Sequence, residues 1–125
     1  MPDAIAPDGS EVYFRAVDAA RASFVEVVLR PGRVTRAVRH RTVEEIWYFL
    51  EGSGEVWLRS PDRAADQTRD VEPGDVVVIP TGWDFQFRAT SREPLRFLCF
   101  TTPAWPGEDE AVPVADGGLG EASLT

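Results

Sequence analysis

The 125-residue chain has a single cysteine, so no internal disulfide can form. Cys99 lies within the apolar run RFLCF and reads as a small buried hydrophobe, with no neighbouring histidine to mark it as a nucleophile. There is also one histidine, His40, which excludes any metal site built on two or more imidazoles. Basic residues are few: 13 against 21 acidic ones give a formal net charge of −8. That balance argues against nucleic acid or an anionic membrane as the main partner, while leaving room for a cationic partner or a small anion held by a local arginine. No apolar segment approaches membrane-spanning length, and no N-terminal stretch joins basic residues to an apolar run, so a cytoplasmic location is expected. No long helical pattern is present.

What the chain does carry is a 43 % hydrophobic composition, enough for one domain around one core. Short apolar stretches rich in Val, Phe, Trp and Tyr recur: EVYFRAV (11–17), SFVEVVLR (23–30), TRAVRH (35–40), EIWYFLE (45–51), GEVWLRS (54–60), DVVVIP (75–80), DFQFRAT (84–90) and PLRFLCF (94–100). Several alternate with a period of two, and glycine or proline punctuates them at 31–32, 52–54, 73–74 and 81–82. This pattern predicts an all-β sandwich or barrel. We expect a flexible N-terminal arm over 1–10, the barrel over 11–102, and a Pro/Gly/acid-rich tail over 103–125 partly packed on the barrel, pinned by Trp105, Val112 and Val114. Residues 61–70 read as an exposed loop or turn.

Residues two apart on a strand share a side. Arg36, Val38 and His40 therefore form one set, Glu45, Trp47 and Phe49 a second, and Trp83, Phe85 and Phe87 a third. If all three sets face inward, they give a pocket with one imidazole, one carboxylate, a guanidinium and several rings. The opposite register would turn Ile46, Tyr48 and Leu50 inward, and the pattern alone leaves both open. An inward Glu45 needs a partner; His40 and Arg36 are the candidates. A His–Glu pair in an apolar pocket suits acid–base work. The rings of Trp47, Trp57, Trp83, Phe85 and Phe87 serve equally as core or as ligand-shaping walls. Arg36 could anchor a substrate carboxylate, and Arg96 reads as a solvated strand position.

These residues resemble the cupin superfamily, in particular the small single-domain bacterial cupins. The first cupin motif runs glycine, five residues, histidine, one residue, histidine, three or four residues, glutamate, six residues, glycine. Gly32, Val38, His40, Glu45 and Gly52 occupy those positions, with valine in place of the first histidine. The second motif is matched by Gly74, Pro80 and Gly82, while Phe85 replaces its histidine and Ala89 its asparagine. The resemblance spans about 23–102 and includes the turns LEGSGEV and EPGDVVVIPTG. It implies a jelly-roll (double-stranded β-helix) barrel of cupin type with an incomplete metal motif.

The family metal is held by three histidines and the glutamate, so the resemblance implies no metal cofactor here, or at most a weakly held divalent transition ion on His40 and Glu45 with help from a residue such as Asp84. Three functions follow as expectations. The first is a metal-independent isomerase, cyclase or lyase in which His40 moves a proton and Glu45 orients it, with Arg36, Val38, Trp47, Trp57, Trp83, Phe85 and Phe87 shaping a site for a small apolar or aromatic molecule. The second is a non-catalytic binding or sensing module. The third is a reduced metal site. Exposed strand edges suggest a homodimer, with EVYFRAV adding to a neighbour's sheet.

Overall fold

The computed structural model describes residues 1–124, and Thr125 lies outside the described residues. The chain forms eleven strands: β1 (Ala4–Ile5), β2 (Glu11–Ala16), β3 (Ser23–Leu29), β4 (Val38–His40), β5 (Glu44–Glu51), β6 (Gly54–Arg59), β7 (Asp66–Val71), β8 (Val76–Ile79), β9 (Asp84–Ala89), β10 (Leu95–Thr102) and β11 (Ala111–Pro113). They build two antiparallel sheets with the orders β1-β2-β3-β10-β5-β8 and β11-β4-β9-β6-β7. This is the all-β barrel that the alternating pattern predicts, in the jelly-roll form that the resemblance implies.

Alternation along β5 sets the interior. Glu45, Trp47 and Phe49 are buried while Glu44, Ile46 and Tyr48 are exposed, so the first of the two registers is the real one. The inward residues of both sheets meet in a layer dominated by rings. Trp47 stacks on Phe97 with centroids 4.3 Å apart and meets Phe87 and Phe85 edge-on at 5.0 and 5.5 Å. Val27, Leu29, Val56, Leu58, Val77, Ile79 and Leu95 fill around them. Each such side chain contributes roughly 1.5–3 kcal/mol by leaving water, which the ordering of the backbone largely offsets.

Turn chemistry fixes the connections. Gly52, between β5 and β6, has φ of +76°, and a Cβ there would collide with the carbonyl of Pro94. Only glycine meets both demands at little cost.

Three expectations need correction. Residues 1–10 are not a loose arm: Ala4 and Ile5 pair with Val12 and Glu11, and Asp8 and Ser10 are buried. Residues 61–70 are not all loop, because Asp66–Val71 is an edge strand on β6. The stretch EVYFRAV is not a wholly free edge, since β1 already covers Glu11 and Val12 and leaves only the residues after them open on that side.

The two sheets differ on their outer sides. Gly117 to Gly120 lie over the second sheet, where Gln86 Nε2 donates to Thr35 O and Gly120 O and its Oε1 accepts from Leu119 N. On the first sheet, Ile46, Tyr48, Val76, Val78 and Phe100 stay 41–48 % exposed. The registers Phe100↔Ile46↔Val78 and Tyr48↔Val76 make them one continuous apolar face.

Candidate functional site

One end of the barrel is hollow. A cavity of about 320 Å³ opens there, walled by Val38, His40, Glu45, Trp47, Phe85 and Phe87 from the barrel. Its volume lies at the lower end of the range for small-molecule sites. The chain on both sides of the barrel completes it: Ala4 to Asp8 come from the N-terminal segment, and Trp105 and Ala111 from the segment after β10.

His40 ends β4 and is 5 % exposed. Its ring is gripped edge-on by Phe85 at 5.0 Å and Trp105 at 5.2 Å. Its Nδ1 is buried and has no hydrogen-bond partner. An unpaired buried polar atom costs about 1–3 kcal/mol.

Glu45 is 6 % exposed and satisfied by its own sheet. Trp47 Nε1 donates to Oε1 at 3.0 Å, and Thr101 Oγ1 donates to Oε2 at 2.9 Å. These are the donors a buried carboxylate requires; the sequence suggested His40 or Arg36 instead. Cys99 lies beside Thr101, with Sγ 3.6 Å from Oγ1. Burial, and then the Glu45 charge, push its thiol well above the ordinary range, so it is not a thiolate nucleophile.

Asp8 is the residue that sequence reasoning missed. It is 8 % exposed, lines the cavity, and uses Oδ1 to accept from Ser10 N at 2.9 Å and Ser10 Oγ at 2.7 Å. Burial raises its pKa; the Ser10 hydrogen bonds oppose this, the Glu45 charge adds to it, and His40 opposes it. The signal was local: Asp-Gly-Ser is a turn-forming triplet whose aspartate bonds two residues on.

His40, Glu45, Val38, Trp47, Phe85 and Phe87 are brought together as expected from their faces, but three residues are not in the cavity. Arg36 is exposed, because β4 begins only at Val38 and the alternation does not reach back to it. Trp83 precedes β9 and packs half-buried against the core. Trp57 points away from the barrel interior, donating to Asp66 Oδ1 at 2.9 Å under the Gly118 backbone, with the Arg59 guanidinium 4.9 Å above its ring. Arg96 is tied to Glu51 and Glu26.

The residues do not fit the metal that this barrel type usually carries. Val38 and Phe85 are register partners and present hydrocarbon where ligands would be. Glu45 has a hydrogen-bond donor on each oxygen. Asp84 is bound to Arg39 Nε at 2.8 Å and Arg59 Nε at 2.9 Å, and is no substitute. Among the described residues, no three His, Cys, Asp or Glu side chains are grouped to hold an ion.

A two-sheet antiparallel barrel with an aromatic-lined cavity at one end defines a jelly-roll domain with room for a small molecule. The family model described as a cupin domain matches residues 25–101, and the chain belongs to that family. It is 35 % identical over 95 residues to a glucose-6-phosphate isomerase of Thermococcus gammatolerans, an alignment covering 70 % of this chain and 49 % of the relative. It is 29 % identical over 92 residues to an uncharacterized protein of Methanocaldococcus jannaschii, covering 74 % of this chain and 69 % of the other. The chain thus spans about half the length of the isomerase it matches. Among solved structures, Bacillus subtilis oxalate decarboxylase superposes with a TM-score of 0.73 at 20 % identity, over 88 % of this chain and 29 % of that one. That likeness is one of fold. Among the described residues, no helix is long and apolar enough to cross a membrane.

Proposed function

We propose that this chain is a metal-independent cupin that processes a small molecule in the cavity, with His40 as the proton-moving group and Glu45 as a fixed negative charge lining the same cavity. The observation that carries this reading is His40 itself, a cavity-lining imidazole with no side-chain hydrogen bond among the described residues, in a cavity of ligand size. An imidazole not committed to a protein partner can take up and return a proton, as isomerisation, cyclisation or elimination requires. The likeness to glucose-6-phosphate isomerases supports the isomerase class. The test is solvent deuterium incorporation into a panel of enolisable carbonyl compounds. Wild type is expected to catalyse exchange with at least one, and His40→Ala to abolish it while keeping a native β-sheet spectrum. Equal exchange by both proteins would falsify the acid–base role.

A binding module without turnover is the second reading, favoured by one observation. Glu45 has a donor on each oxygen and is well placed as a structural anchor. It predicts saturable binding by wild type with no exchange chemistry.

For assembly we propose a homodimer formed by the bare outer face of the first sheet packing on its equal in a second copy. That face is free of charge along the row Phe100, Ile46 and Val78, on a chain whose net charge of −8 would otherwise keep copies apart. The cytoplasm is the proposed location.

A further inference from the structure

The cavity has an unusual charge pattern. Two carboxyl side chains, Asp8 and Glu45, line it, and no arginine does. The chain has no lysine anywhere. Arg36, the one arginine that sequence placed on the His40 face, is exposed. Nothing cationic other than a protonated His40 is therefore available to receive a phosphate or a carboxylate, and such an anion would meet two like charges in a poorly hydrated space.

The hydrogen-bonding inventory points the same way. Oδ1 of Asp8 is bonded twice to Ser10, while Oδ2 has no protein donor among the described residues, although the side chain is more than nine-tenths buried. A carboxyl oxygen in that position calls for a donor from the ligand. The same cavity is lined by the rings of Trp47, Phe85 and Trp105, and aromatic rings attract cations on their faces and suit an apolar body.

Building on the reading of this cavity as the functional site, we infer that its ligand is a compact molecule with an apolar or aromatic body and a protonated amine, and that Asp8 is the residue that selects the amine by accepting its hydrogen bond on Oδ2. This sets the chain apart from the glucose-6-phosphate isomerases it resembles, since a phosphorylated sugar has no counter-ion here.

The experiment is isothermal titration of the full chain at pH 7.5 and 150 mM salt, on the order of physiological ionic strength, with three probes sharing one ring: 2-phenylethylamine, 2-phenylethanol and phenylacetate. The amine is expected to bind at least tenfold tighter than the acid, with the alcohol between them. Asp8→Asn is expected to weaken the amine about tenfold, the loss of one charge-assisted hydrogen bond, and to change the alcohol less than twofold. The order among the three probes in wild type needs no substitution, so it decides the matter even if the variant folds poorly. Phenylacetate binding as tightly as the amine, or tighter, overturns the inference while leaving the cavity as a ligand site. Amine binding that Asp8→Asn leaves intact in a folded variant overturns the role of Asp8. Failure of all three probes to bind removes the cavity reading and this inference with it.

Discussion

The indole Nε1 of Trp47 donates a 3.0 Å hydrogen bond to Oε1 of Glu45, its neighbour two residues back on the same inward face of β5. The bond joins the ring cluster of the core to one of the two carboxyl side chains of the cavity wall, so packing and site share a residue. Trp47→Phe keeps most of the ring volume but leaves Oε1 without a donor. Leaving a buried charged acceptor unpaired costs about 1–3 kcal/mol. Urea denaturation should show that loss, and Glu45→Gln added to Trp47→Phe should cost less than the two single changes summed. Strict additivity would show that the bond carries no coupling.

Val38 and Phe85 face each other across β4 and β9, beside His40. Val38→His combined with Phe85→His places three imidazoles and Glu45 around one point. The double variant is expected to take up about one divalent transition ion per chain, consistent with the three or four protein ligands such ions prefer, where wild type under the same conditions takes up none. Elemental analysis after dialysis reads the difference. A stoichiometric, tightly held ion on wild type would contradict the metal-free reading.

Burial holds the Asp8 carboxyl above its ordinary value, aided by the Glu45 charge and opposed by Ser10 and His40. The fold thus favours the neutral acid. The associated stability is complete below the ordinary carboxylate range and is lost as pH rises through the elevated native value. Asp8→Asn keeps an acceptor for Ser10 and never ionises. Its melting temperature relative to wild type should therefore climb as pH rises above the ordinary carboxylate range. A difference that stays flat, or runs the other way, would refute this account of Asp8.

The backbone of Gly118 lies directly on the Trp57 ring, with no room for a Cβ. Gly118→Ala should lift the tail from the second sheet at a cost of about 1–3 kcal/mol. Hydrogen exchange should then quicken at Leu119, whose N–H is held by Gln86, and leave β5 and β10 unchanged. Asp116, bonded to Arg59 at 2.9 Å, is held down to about 2 mainly by that hydrogen bond, so the same segment should also loosen as pH falls from the ordinary carboxylate range toward that value.

If the bare sheet face is the dimer contact, Ile46→Lys should shift wild-type dimers to monomers in sedimentation without lowering the melting temperature of the monomer. Monomeric wild type at high concentration would dispose of the proposal.

Much of the barrel could be read from the chain because its turns carry glycine or proline and its strands alternate. The Glu45, Trp47 and Phe49 set was recognisable for that reason. Alternation does not say how a strand's outer side is covered. Trp57 resembles the ring-bearing residues of the cavity in sequence, yet its partner is Gly118, sixty-one positions away. Arg36 was misplaced because the strand starts two residues after it. Asp8 belongs to a stretch with no periodicity, and only the folding of that stretch across the barrel mouth brings it to His40.

The mouth of the cavity is built from Ala4 to Asp8 on one side and Trp105 and Ala111 on the other, while the barrel supplies the floor. Part of the cavity lining thus comes from outside strands β3 to β10. Exchanging the flanking stretches for others could retune what enters without touching a single strand of the floor. Conversely, the same barrel can persist in proteins whose ligands have nothing in common.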